Sequence, residues 1–598
     1  MFEMGWEAWL TVSMAVMLLF SLSLRIAATD LLAIASLGVL ILAQNITGTE
    51  KLPSSRDAVI GFGNEGLITV AFLFAVVAGL ELTGGTELAT GWLLKRARTL
   101  PGAQVLLLTP VAILSGFLNN TPVVAAMLPV VNDLAKRVNT SPSQLLLPLS
   151  YAAILGGMCT LIGTSTNLLV QGMVVESGAQ PLGFFAPAYV GIPASIIGLA
   201  YIMIASRWLL PNRKPALSAK DDPRQYTVEM VVMAGGGLVG QTIEAAGLRH
   251  LPGLYLAEIQ REGYQITAVG PTERLLANDT LVLVGVLESV VDLQKIRGLA
   301  PPDDQARKLD APAWNRKLVE AVVSSRCSLL GQTIREGRFR THYGAAVIAV
   351  GRGDKRLPGK LGDVRLEVGD VLLLEASPTF LEQRSQSHEF FLVSDVPGGA
   401  VRRPERAWLA LAILVAMVAA ATMTSLSIMT ASMIACVAMI GFRCCTSDEA
   451  RQSIDWSVLI VIGAALGIGR ALDQSGAATV IANSLLGLAG GDKLLSLAAI
   501  YIATMLCTEM ITNNAAAVLM FSIAWKAALA LGADTTPFVM AVMIAASASF
   551  STPFGYQTNM MVYGLGGYRM TDYLRFGLPM NALLFITAMV IIPWVWPL

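Results

Sequence analysis

The chain has 598 residues, 54% of them hydrophobic and 14% charged, with a mean hydropathy of +0.62 and a formal net charge of zero. Soluble domains carry about 25% charge, so lipid is the solvent for much of this chain, and no basic excess points to nucleic acid. Its six cysteines (Cys159, Cys327, Cys436, Cys444, Cys445, Cys507) lack metal-ligand or framework spacing, and its three histidines (His250, His342, His388) all lie mid-chain, which leaves the apolar blocks without imidazole for a zinc site or proton relay.

Residues 1–210 are almost continuously apolar, 211–403 hold most of the charge, and 404–598 are apolar again. A spanning helix needs about 20 apolar residues. In the first block such runs lie near 8–25, 30–47, 66–93, 104–135, 145–175 and 184–210. Glu3 and Glu7 stand where a secretory leader would be basic, and no small-residue cleavage site precedes Arg25, so the first run is expected to be a retained span. At the centre of 104–135, Asn119-Asn120-Thr121-Pro122 puts two amides in lipid, which is costly unless they find partners. Pro122 is expected to force the residues before it out of a helix. Within 145–175, the stretch from Gly156 to Asn167 is too rich in glycine and hydroxyls for one tight helix.

The middle block is itself duplicated. Leu238–Ile243 matches Leu329–Ile334, and Asn278–Leu283 matches Gly369–Leu374, both with an offset of 91. Alternating β-branched segments such as Ala345–Val350 predict strands. Gly235–Gly240 fits a G-x-G-x-x-G pattern with Glu258 downstream, but the second copy has Ser325, Arg326 and Cys327 there, so a turn is expected rather than a dinucleotide site.

In the last block the apolar runs lie near 404–424, 426–442, 456–472, 494–532, 537–562 and 574–597, with a short amphipathic run at 478–490 expected at the membrane interface. This block repeats the first. Leu80–Gly84 matches Leu472–Gly476, Asn119-Asn120-Thr121 matches Asn513-Asn514-Ala515, and Thr164–Asn167 matches Tyr556–Asn559. The match places Glu509, the one acid inside a hairpin core, opposite Ser115, where it would ligate a cation, carry a proton, or merely pair with Lys526. Glu81 and Asp473 end matching helices, and Arg470 is expected to pair with Asp473.

Charge placement gives orientation. Arg25, Lys95, Arg96, Arg98, Lys136, Arg137, Arg207, Arg213 and Lys214 share one side only if 104–135 enters and leaves by the same face. Arg443, Arg451, Arg569 and Arg575 do so only if 494–532 is a hairpin from the opposite face. The expected fold is therefore an all-α polytopic membrane protein of inverted repeats with two re-entrant hairpins and an inserted α+β tandem. Its organisation is a first repeat at 1–210, α+β domains at 211–300 and 301–403, and an inverted second repeat at 404–598. Such repeats bind solutes at the midplane, where helices break; carbonyls and side-chain oxygens there suit a sodium ion, and N–H-rich helix starts suit an anion.

These tips and broken helices resemble the divalent anion/sodium symporter family, which has a Ser-Asn-Thr motif at each hairpin tip. The resemblance covers both membrane blocks. Here Asn replaces the first Ser in both triplets, and Ala515 stands for the last Thr in the second. It implies an elevator-type transporter and a homodimer; the charge placement above puts residues 211–403 on the cytoplasmic side of the inner membrane and both termini outside, and no cofactor is expected beyond the coupling ions. By motif, Ser115, Asn119, Asn120, Gly163 and Asn167 would hold one sodium ion, and Thr512, Asn514 and Asn559 another. Asn120, Thr121, Thr166, Asn514, Ala515 and Thr558 would face the anion. Glu509 falls where that family has a hydroxyl and is assigned to coupling, which leaves both sodium and proton open. The middle block resembles a tandem of RCK-C (TrkA-C) domains, modules that regulate transport and occur in sulfate permeases. The expected function is symport of a small divalent anion, sulfate first and a dicarboxylate second. A cation/proton antiporter or amino-acid exchanger of similar architecture is the alternative, while a channel lacks a filter segment and an enzyme lacks a nucleophile–base pair.

Overall fold

The computed structural model describes residues 4–23, 29–85, 99–138, 140–213, 227–248, 254–261, 264–267, 269–270, 272–285, 298–300, 317–324, 327–343, 345–353, 355–357, 361–376, 389–392 and 403–598. The chain forms two compact units: Met1–Asn212 with Val401–Met560 and Met570–Leu598, and Arg213–Ala400 with Met561–Arg569.

The first unit is helical. Its first half runs α1 (Trp6–Ser23), α2 (Thr29–Thr47), α3 (Ser55–Phe62), α4 (Glu65–Thr83), α5 (Leu100–Ser115), α6 (Asn120–Arg137), α7 (Ser143–Gly157), α8 (Ser165–Glu176) and α9 (Ala188–Leu209). Runs 104–135 and 145–175 are thus each two helices. Pro122 does not end a helix as expected. The break falls at 116–119, and Pro122 sits in the first turn of α6, where its missing N–H leaves no hydrogen bond unmade. Helix α4 stops at Gly84, whose φ of +72° suits glycine. The expected continuation to residue 93, with Lys95, Arg96 and Arg98, lies outside the described residues, as do Arg25 and Lys214.

The second unit carries two antiparallel five-stranded sheets. The first comprises β1 (Thr227–Val232), β2 (Leu254–Arg261), β3 (Tyr264–Thr267), β4 (Thr280–Gly285) and β5 (Leu299–Ala300), in the order β3-β2-β4-β1-β5. The second comprises β6 (Lys317–Val323), a short α10 (Phe339–Tyr343), β7 (Ala345–Arg352), β8 (Lys355–Arg356), β9 (Val371–Ala376) and β10 (Phe390–Leu392), in the corresponding order β8-β7-β9-β6-β10. Even the bulges correspond, between Leu256 and Glu258 and between Val347 and Ala349. Asn278 (φ +66°) and Gly369 (φ +87°) make the tight turns into β4 and β9. The buried aspartate that follows each turn accepts both arms of an arginine: Asp279 from Arg261 at 2.9 and 2.9 Å, Asp370 from Arg352 at 2.7 and 2.8 Å. Gly235–Gly240 is a turn with positive φ at both ends, and no helix follows it among the described residues.

The second half of the helical unit runs α11 (Ala407–Met423), α12 (Ile428–Gly441), α13 (Ser447–Ser453), α14 (Trp456–Gln474), α15 (Ala477–Leu488), α16 (Lys493–Met510), α17 (Asn513–Ala530), α18 (Thr535–Ser547), α19 (Gln557–Leu565) and α20 (Met570–Val595). The short α3 and α13, which apolar runs do not predict, each begin with a capping box, Ser54 with Asp57 and Thr446 with Glu449. Helix pairings match between halves: α2 packs on α14 as α12 packs on α4, α3 on α14 as α13 on α4, and α5 and α6 flank α7 as α16 and α17 flank α18. Among the described residues, seven segments are long and apolar enough to cross a bilayer.

Candidate functional site

The first tip is a four-residue break between α5 and α6. The Ser115 hydroxyl at the end of α5 donates to Asn120 Oδ1 at the start of α6, and both side chains are fully buried. Behind the tip, the break between α7 and α8 folds back on it: Thr160 donates to the carbonyl of Gly116, and Gly163 N–H donates to Thr160 Oγ1 at 3.1 Å. Asn167 Nδ2 donates to the Thr160 carbonyl at 2.8 Å, while its Oδ1 is buried with no hydrogen-bond partner. The glycines, lacking a Cβ, let several oxygens approach closely. A Cβ on Gly163 would lie 2.6 Å from the Gly157 carbonyl oxygen and 2.9 Å from that of Ser115; one on Gly157 would lie 2.5 Å from Asn120 Oδ1 and 3.1 Å from the Gly163 carbonyl oxygen. Three carbonyls and an amide oxygen thus border a cradle that no side chain fills, the donor set a hard, weakly charged cation prefers.

The second tip repeats these bonds with two differences: Thr508 Oγ1 also donates to the Ala546 carbonyl at 2.6 Å, and Asn559 Oδ1 accepts from Ser150 at 2.7 Å. Thr508 Oγ1 stands 3.1 Å from Asn513 Oδ1, Thr552 donates to the Glu509 carbonyl at 3.1 Å, Gly555 N–H donates to Thr552 Oγ1 at 3.1 Å, and Asn559 Nδ2 donates to the Thr552 carbonyl at 3.2 Å. A Cβ on Gly555 would meet Ser549 Oγ first and the Thr508 carbonyl oxygen at 2.9 Å, so on this side a serine hydroxyl takes up part of the corresponding space. This corrects the register of the tips by one residue. Thr508, not Glu509, is the counterpart of Ser115; Asn513, not Asn514, is that of Asn120; and Glu509 stands opposite Gly116. The second triplet is therefore Thr512-Asn513-Asn514, and Ala515 falls opposite Pro122.

Four helix starts meet between the tips. Thr121 on α6 donates to Gln557 Oε1 on α19 at 3.1 Å, and Ser165 and Thr166 on α8 donate to Asn514 Oδ1 on α17 at 3.1 and 3.0 Å. Asn120 Nδ2 donates to the Tyr556 hydroxyl, which also lies 3.2 Å from Thr164 Oγ1. None of these residues is charged, and the positive ends of four helices converge on neutral dipoles.

Glu509 reaches away from this centre. Its Oε1 accepts from the N–H groups of Phe550 and Ser551 at 3.0 and 2.8 Å and from Asn581 Nδ2 at 2.8 Å, and Ser549 donates to Oε2 at 3.4 Å. Its bonded partners are these groups on the second break and α20 rather than Lys526. Arg470 pairs with Asp57 and Glu176 rather than with Asp473.

Of the expected cation ligands, Ser115, Asn120 and Gly163 meet at the first cradle. Asn119 instead lines an apolar cleft with Val70, Phe74, Phe117 and Ile162. Thr512 is exposed and its side chain makes no cap bond. Asn167 and Asn559 hold the two breaks in shape. Of the expected anion contacts, Thr121, Thr166 and Asn514 lie at the centre, whereas Thr558 accepts from Ser150 on α7 at 2.8 Å and Ala515 is buried in α17. Thr508, Asn513, Tyr556 and Gln557 were not among the expected ligands. The signal for Thr508 and Asn513 is the shared five-residue step from a hydroxyl to an asparagine, Ser115 to Asn120 and Thr508 to Asn513.

A citrate transporter (CitMHS) family profile matches residues 14–543. The chain belongs to this family. Its members are transporters, and with the seven apolar spans this makes the chain a multi-pass membrane protein of the anion-transporter type rather than an enzyme. It is 37% identical to a Chlamydomonas reinhardtii protein provisionally named a sulfur deprivation response regulator, over 90% of this chain and 94% of that one. It is 32% identical to an uncharacterized transporter of Synechocystis, over 89% of both chains. It is 26% identical to sodium/sulfate cotransporter 1 of Chlamydomonas reinhardtii, over 90% of this chain and 85% of that one.

Proposed function

We propose that the protein is a sodium-coupled symporter of a small divalent oxyanion, with sulfate as the first candidate and a dicarboxylate or citrate as the second. The observation that carries this reading is the meeting of four helix starts on uncharged hydroxyls and amides, with an oxygen-lined cradle behind each tip. Helix starts stabilise an anion without a fixed cation, and each cradle offers sodium its carbonyls. The names of the sodium/sulfate cotransporter relatives favour sulfate. Ser115, Asn120 and the Gly157 and Gly163 carbonyls would hold one sodium ion, and Thr508, Asn513 and the Gly555 region the other; Thr121, Thr166, Asn514 and Tyr556 would face the anion.

On this reading the two halves are inverted repeats, the tips are re-entrant hairpins in an inner membrane, and tips and broken helices move together as an elevator past α1–α4 and α11–α15. The protein would act as a homodimer, and residues 211–403 would form a cytoplasmic RCK-C pair that regulates it. Glu509 is where sodium and proton coupling part, since it is the one acid among the tip groups.

Purified protein in liposomes should take up labelled sulfate when sodium is higher outside. Absence of sulfate, succinate and citrate flux under both sodium and proton gradients would refute the proposal.

A further inference from the structure

Tyr556 interrupts the correspondence of the two halves at their centre. The offset of 392 that pairs Thr166 with Thr558 and Asn167 with Asn559 pairs Thr164 with Tyr556. A small hydroxyl residue in one half is a phenol in the other, and the ring carries its hydroxyl across to the opposite tip. Asn120 of the first tip donates to that hydroxyl, and Thr164 lies 3.2 Å away. One oxygen from the second broken helix thus joins the first tip asparagine and the first broken helix, on a side chain only 9% exposed.

We infer that Tyr556 selects the substrate class, admitting a compact oxyanion whose oxygens share one central atom and excluding di- and tricarboxylates. The inference rests on the anion-transport reading above and deepens it. Asn120 fills an acceptor position of the phenol oxygen, while its proton can turn from Thr164 to an anion between the tips. The ring is bulkier than the Thr164 side chain to which it corresponds, and the Thr121–Gln557 and Asn514–Thr166 bonds are made by the residues beside this network in the chain. A tetrahedral oxyanion gathers its oxygens round one atom and can be held beside the phenol. Carboxylates separated by methylene carbons reach further and would need the volume of the ring. A buried hydroxyl aimed at a substrate oxygen also discriminates more strongly than an apolar wall does.

The test uses full-length protein in liposomes, labelled sulfate, and unlabelled succinate and citrate as competitors. Wild type should be inhibited by sulfate and not by equal succinate or citrate. Tyr556→Thr should become sensitive to both carboxylates at concentrations about tenfold lower than wild type. Tyr556→Phe, which keeps the ring, should still exclude carboxylates but raise the sulfate KM about tenfold through loss of a hydrogen bond to a charged ligand. Sulfate uptake by Tyr556→Thr with carboxylates still excluded would overturn the inference. So would an unchanged sulfate KM in Tyr556→Phe, which decides the matter if the threonine variant does not fold. Wild type carrying succinate as readily as sulfate would also overturn it while leaving the transport reading intact. No anion flux in wild type would remove both.

Discussion

Arg470 on α14 is paired with Glu176 at the last turn of α8, 294 residues away in the chain. The same guanidinium reaches the Asp57 carboxylate at 3.6 Å and its carbonyl at 3.2 Å, and Asn64 Nδ2 donates to Glu176 at 3.2 Å. This ties the outer end of a broken helix to α3, α4 and α14. If the broken helices move past those elements, the pair must open in each cycle. Glu176→Arg should lower Tm and sulfate uptake by repelling Arg470, and adding Arg470→Glu should restore part of both. The pair is partly exposed, so a coupling of about 1 kcal/mol is expected. Strictly additive effects on Tm would show that the pair is incidental.

The hydroxyls of Ser115 and Thr508 hold the tip asparagines. Ser115→Ala leaves the buried Asn120 Oδ1 without its donor, a loss of about 1–3 kcal/mol, and Thr508→Ala removes a hydroxyl that stands between Asn513 Oδ1 and the Ala546 carbonyl. Each should raise the sodium concentration for half-maximal uptake by about tenfold or more, with a smaller effect on the anion KM. Gly163→Ala should act more severely, because its Cβ would lie 2.6 Å from the Gly157 carbonyl oxygen inside the cradle. Sodium dependence unchanged in all three variants would remove the cradles from coupling.

The placement of the breaks follows from composition, because adjacent amides, glycines and hydroxyls in otherwise apolar runs have no stable place in a continuous lipid-facing helix. The tip register does not follow, since Asn513 and Asn514 are identical neighbours and either aligns with Asn120. Only the Thr508–Asn513 bond, matched by Ser115–Asn120, picks one. Helices α3 and α13 escape a search for apolar runs because their signal is a cap, Ser54 with Asp57 and Thr446 with Glu449, at the same place in each half. The central role of Tyr556 is equally hidden, since an aligned Thr and Tyr look like a lost match until the phenol oxygen is seen to reach the opposite tip.

In the second sheet, Asp370 is fully buried and holds Arg352 in two bonds while accepting the Glu367 N–H at 2.9 Å. Asp370→Ala leaves the guanidinium only Glu367 and the Arg365 carbonyl, and the turn into β9 uncapped. Breaking a buried pair costs about 3–5 kcal/mol, and the partial exposure of Arg352 reduces that. Faster amide exchange in β9 and β6 of the full-length protein is the expected result, with β1 and β4 unchanged because Asp279 and Arg261 serve the first sheet separately. Equal loosening of both sheets would mean that they do not unfold independently.

Glu509 separates the two modes of coupling. Its Oε1 takes three donors, two of them backbone N–H groups at the second break, so the carboxylate braces the end of α18 against α16 and α20. Gln at this position can accept from only one oxygen and brings an NH2 toward donors already present. Glu509→Gln should therefore lower Tm and the maximal uptake rate while sodium still drives accumulation with its wild-type concentration dependence. The decisive measurement is uptake driven by a proton gradient in the absence of sodium. Sodium coupling predicts none in wild type or variant. Proton-driven uptake present in wild type and lost in Glu509→Gln would instead make this carboxylate the proton carrier and sodium dispensable.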